Sequence, residues 1–116
     1  MLRMKRVYEP PEDGDGWRVL VDRLWPRGIA KEAARVDEWF KDVTPSSELR
    51  KWYHEDMAGR ADEFADRYLA ELDGPEQQAA LRQLRARVKA GPVTLVTSAK
   101  DVEHSHLPVL VRKIRV

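Results

Sequence analysis

Two short apolar runs, Val19-Leu20-Val21 and Val93-Thr94-Leu95-Val96-Thr97, set the strongest limits on the fold. Runs of this kind, rich in β-branched residues and without polar alternation, belong to strands covered on both faces of a sheet. Two long helical patterns lie between them. Met57, Ala61, Phe64, Ala65, Tyr68, Leu69 and Leu72 recur at spacings of three and four, after Asp56, a residue suited to cap a helix start. Leu81, Leu84 and Val88 form a second stripe, opened by Gly74-Pro75 and closed by Gly91-Pro92. Such helices supply the length that a parallel crossover needs. The expectation is one compact α/β domain over residues 1–116. It would have three layers: a small, mostly parallel sheet of four or five strands flanked by helices, with the two runs central.

Composition narrows the function classes. Lys and Arg number 21 against 20 Asp and Glu, a net charge of +1, whereas a dedicated nucleic-acid binder normally carries a clear basic excess. The chain has no cysteine, which removes disulfides, thiolate nucleophiles and zinc–thiolate sites. Its start, Met1-Leu2-Arg3-Met4-Lys5-Arg6, has no apolar core of a secretion signal, and no stretch approaches membrane-spanning length. A cytoplasmic location with no membrane partner is expected.

Around the central runs, Met4–Tyr8 reads as a first strand with Val7 as its core residue. The loop from Glu9 to Gly16 is dense in Pro, Gly and Asp and too short for a crossover helix, which leaves the first two strands free to be antiparallel neighbours. Its acids (Glu9, Glu12, Asp13, Asp15) lack the spacing of a calcium loop and read as a solvated turn. Lys31–Arg35 reads as a helical turn, and the segment 36–43, with Trp39 and Phe40, as strand or short helix. Thr44 as N-cap and Pro45 at the first helical position predict a short helix to Tyr53. The tail 107–116 suits either an edge strand or a helix.

Candidate chemistry concentrates where the two runs end. Val21 is followed by Asp22-Arg23 and then by Pro26 and Gly28, which stop a strand; the second run is followed by Ser98-Ala99-Lys100-Asp101. In open α/β sheets, ligands bind beyond the carboxyl ends of strands. Arg23, Arg27 and Lys100, with a helix start at Ser98–Asp101 in capping-box spacing, predict a site for a phosphate or carboxylate, with Ser98 and His104 also among its ligand-binding residues. Asp22 or Asp101 would orient a water or act as base, in a hydrolase-type reaction. The competing structural reading is an ion-pair cluster that fixes loops to the sheet and takes no ligand. A third reading uses Arg82, Arg85, Arg87 and Lys89 on the second long helix as a nucleic-acid or regulatory face. His104 and His106 beside Asp101 offer ligands for a transition metal, with His54 as a distant third, although residues two apart on a helix face different ways. Trp25, Trp39 and Trp52 read as core or pocket wall, and Trp17 as partly exposed. No phosphate loop, dinucleotide fingerprint or Ser-His-Asp order is present, so no cofactor is assigned.

The string Arg18-Val19-Leu20-Val21-Asp22-Arg23-Leu24-Trp25-Pro26-Arg27-Gly28 follows Lys5-Arg6-Val7-Tyr8-Glu9-Pro10-Pro11. With Thr44–Trp52 and Thr94–Asp101, it resembles the YeaO-like family, domain of unknown function 488 (DUF488). The resemblance covers nearly the whole chain and implies a compact α/β domain, but no settled reaction. Some family members carry transcription-regulator labels, which the chain supports with no helix-turn-helix pattern.

Overall fold

The computed structural model describes residues 2–115 as a four-stranded, wholly parallel sheet with helices packed on it. The strands are β1 (Leu2–Arg6), β2 (Trp17–Leu20), β3 (Glu38–Trp39) and β4 (Val93–Thr97), in the order β1-β4-β2-β3. The two apolar runs are the central pair, with Val19 opposite Leu95 and Leu20 opposite Val96. Five helices complete the α/β domain: α1 (Lys31–Ala34), α2 (Ser47–Glu55), α3 (Met57–Glu71), α4 (Pro75–Ala90) and α5 (Leu107–Arg115).

The two sheet faces are covered unequally. One presents Leu2, Val19, Val21, Val93 and Leu95 to the stripes of the larger helices, among them Phe64, Tyr68 and Leu72 of α3, Leu81 and Leu84 of α4, and Leu110 and Ile114 of α5. The other buries Val7, Leu20 and Val96 under Ala34 of α1 and the partly buried Trp25, Ile29, Val36 and Trp39. Both long helices therefore pack on one face, and the third layer is loop and a single helical turn.

Several expectations change. β1 and β2 are not antiparallel neighbours: each pairs in parallel with β4, which lies between them. Residues 7–16 make the return without an α-helix, through a loop whose only regular element is a 3-10 turn over Asp13–Asp15. The loop lies across β4, with Thr94 Oγ1 donating to Asp15 O and Trp17 N to Pro92 O. Nor is its acidic turn solvated throughout. Asp15 is buried, and its carboxylate meets Arg18 Nη1 at 2.6 Å and Lys5 Nζ at 3.2 Å. Close packing at the loop's end needs a glycine: Gly16 has φ +64°, and a Cβ there would lie 2.3 Å from Pro92 O.

The first strand starts two residues earlier than Met4, and 36–43 contributes β3, which turns Phe40 toward the helix side and Trp39 to the opposite one. Helix α2 is capped by Ser46 rather than Thr44. Glu71 of α3 accepts from both the amide and the hydroxyl of Ser46, while Thr44 Oγ1 turns back to Lys41 O. The tail is a helix, because Leu107, Leu110, Val111 and Ile114 make one buried stripe and Pro108 sits in the first turn, where no amide hydrogen is needed. Val116 lies outside the described residues.

Candidate functional site

The carboxyl ends of β2 and β4 open into a cleft of about 730 Å3. The chain leaves β2 toward the loop-covered face and leaves β4 toward the helix-covered one, so the cleft sits where the connections diverge. Its walls come from the loop after β2 (Asp22–Arg27), Thr44 and Pro45 before α2, Arg50, Tyr53 and His54 on α2, Met57 and Phe64 of α3, and the segment 97–106.

Asp22 holds the two strand ends together. Its Oδ1 accepts from Thr97 Oγ1 at 2.6 Å and its Oδ2 from the amide of Ser98 at 2.7 Å, while its carbonyl accepts from Trp39 Nε1. The Ser98 amide is therefore committed to Asp22, and no helix starts at Ser98. A 3-10 turn over Val102–His104 takes its place, with no side-chain cap from Asp101. The capping-box spacing misled because a carboxylate distant in sequence competes for the same amide.

Arg23 lies at the cleft and donates to Pro45 O at 3.1 Å and Thr44 O at 3.2 Å, bracing the loop before α2 through carbonyls rather than through an acid. Arg27, Arg50 and Lys100 are exposed side chains on its rim. Among the described residues, none of these four cations forms an ion pair. The buried charge cluster of this fold is instead the Asp15–Lys5–Arg18 group on the loop-covered face. Arg50 is the residue that sequence reasoning missed, because its only signal was a position three residues before Tyr53 on an amphipathic helix.

The histidines do not converge. His104 Nδ1 lies 2.5 Å from Asp101 Oδ2 on an exposed turn, and that contact holds the Asp101 carboxyl below its ordinary range. His106 Nε2 donates instead to Val21 O at 2.6 Å, at the end of β2. Burial pushes the His106 imidazole down, against the pull of that carbonyl and of Asp22. Among the described residues no group of three or more His, Asp or Glu is arranged to hold a metal.

The basic face of α4 is partly used within the fold. Arg85 donates to Lys113 O and Ile114 O at the end of α5, and Arg87 lies over the half-buried Trp17 ring at 4.2 Å. Trp25 and Trp39 meet edge to face, and Trp52 is flanked by Arg60 and Arg67, which suits packing roles. Among the described residues no helix is long and apolar enough to cross a membrane.

Comparison with known proteins shows the family. A family model described as "Inactive DUF488-N3 subclade" matches residues 1–116. The chain is 46% identical over 114 residues to the uncharacterised protein YeaO of Escherichia coli, covering 98% of this chain and 96% of that one. It is 50% identical over 109 residues to uncharacterised proteins of Mycobacterium bovis and Mycobacterium tuberculosis, covering 94% of this chain and 89% of theirs. No solved structure matches. With the strand-end signature now placed around a cleft, and a match that runs from the first residue to the last, the chain belongs to the YeaO-like DUF488 family.

Proposed function

We propose that the cleft binds a small anionic ligand carrying a phosphate or carboxylate, held by Arg23, Arg27, Arg50 and Lys100. The observation that carries this reading is the set of four cations around one concave opening, none of them in an ion pair among the described residues although Asp22 and Asp101 line the same cleft. Like charges gathered at a cleft focus a positive potential that an anion relieves. Binding is favoured over turnover. Both oxygens of Asp22 are taken up by Thr97 and Ser98, which makes it a brace, and the matching family model is itself described as inactive. Of the two expected acids, only Asp101, exposed and paired with His104, is left for proton transfer. A cysteine-free chain of balanced charge suits the cytoplasm.

Calorimetric titration with phosphate, sulfate and nucleoside monophosphates tests the reading. Wild type should bind at least one of them, and Arg50→Ala and Lys100→Ala should each weaken that binding about tenfold, as loss of one charge-assisted contact does. Because both side chains are exposed, the variants should melt with wild type. Absence of binding across the series would leave the cleft without this role.

A further inference from the structure

Resting on that anion-site reading, we propose that ligand binding in the cleft is coupled to the uptake of one proton by Nδ1 of His106. The carbonyl of Val21 can only accept, so Nε2, 2.6 Å away, carries a hydrogen, and in the neutral ring Nδ1 holds the lone pair. Nδ1 makes no hydrogen bond. Among the described residues no buried side-chain nitrogen or oxygen lacks a partner, so Nδ1 is open to solvent, and His106 forms part of the cleft wall. The cleft wall therefore includes a ring whose proton-accepting nitrogen has no hydrogen-bond partner among the described residues.

The groups facing this ring set the direction of the coupling. From the end of β2, the Val21 carbonyl and the Asp22 carboxylate favour the imidazolium. From α2, Arg50 opposes it, and from α3 the Tyr68 ring meets it edge to face at 6.0 Å, with its hydroxyl donated to Val43 O. Asp101 and His104 line the same cleft from the 3-10 turn. Burial and Arg50 hold the ring neutral near pH 7. An anion beside Arg50 cancels that repulsion and adds its own attraction. A solvent proton then joins the Nδ1 lone pair while the Nε2–H bond to Val21 stays in place. Linkage makes the effect reciprocal: a protonated His106 tightens the anion.

Sulfate is the probe, since it does not titrate across the range of about pH 5 to 8 in which imidazoles change charge. Calorimetry in buffers of differing ionisation enthalpy should show proton uptake on binding. Affinity should rise as pH falls, by up to about tenfold per unit, the ceiling for one coupled proton. With only three histidines in the chain, NMR can follow each ring, and the His106 midpoint should rise when sulfate is added. His106→Gln keeps a donor for Val21 O and should bind sulfate with no pH slope, whereas His54→Gln and His104→Gln should retain it. Should His106→Gln fail to fold, the wild-type NMR midpoint decides alone. A slope that survives in His106→Gln, or an unmoved His106 midpoint, overturns the coupling. No sulfate binding at any pH removes the anion site and the coupling with it, while binding at a constant affinity removes only the coupling.

Discussion

Asp15, Arg18 and Asp22 carry much of the fold on single side chains. The Asp15 side chain is fully enclosed, the Arg18 side chain is 4% exposed, and Arg18 also donates to the carbonyls of Ala34 and Arg35. Asp15→Ala leaves a buried guanidinium without its acid, which costs about 3–5 kcal/mol in comparable pairs; a urea midpoint close to wild type would refute that role. Arg23 differs in kind. Its partners are two carbonyls, so Arg23→Ala strands no charge and should cost about 1–2 kcal/mol, the worth of two modest hydrogen bonds. A much larger loss in thermal melts would mean that Arg23 meets an acid in solution.

At the scale of elements, the return from β1 to β2 and the docking of α5 bear most on the cleft, since α5 carries His106 at its start and the return loop fixes β2 beside β4. Arg85 ties α4 to the last carbonyls of α5, so Arg85→Ala should fray the end of α5 and cost about 1–2 kcal/mol. Amide exchange confined to residues 111–115 would register it, and unchanged protection there would sink it. The parallel central strands and both long helices were legible because their signals are local: β-branched runs, three-and-four spacings, Asp56 and Pro75 at helix starts. The stripe of α5 was not decisive, because β-branched Val109 and Val111 suit an edge strand equally well. Other features depend on partners far along the chain. Glu71 decides which residue caps α2, Asp22 takes the amide of Ser98, and Lys5 and Arg18 draw Asp15 out of solvent. The residues of the proposed anion site were legible as types at strand ends. Their arrangement was not, because Arg50 enters from an element whose docking no spacing encodes.

Across the whole molecule, His106 and Asp15 should give stability a two-step dependence on acid. His106 is held below its ordinary value of 6.5 in the folded state, so at pH above that value neither state carries the charge and there is no penalty. As pH falls through about 6.5, the unfolded chain takes the proton first, and stability declines until the folded ring also titrates. Asp15 works lower. Burial alone would raise its carboxyl, but the Glu12 amide, Lys5 and Arg18 more than reverse this and hold it below its ordinary 3.8. Its contribution is complete above that value and is lost as pH drops through the folded-state value. Melting temperature plotted against pH should therefore bend twice. His106→Gln should flatten the upper bend and leave the lower, and Asp15→Asn should lower the whole curve and weaken the lower bend, to which the exposed Asp101 also contributes. Sulfate should oppose the upper decline, because an anion in the cleft returns to His106 the proton affinity that burial and Arg50 take away. An upper bend that persists unchanged in His106→Gln would place that titration outside His106, and the proposed coupling between the cleft and this ring would fall with it.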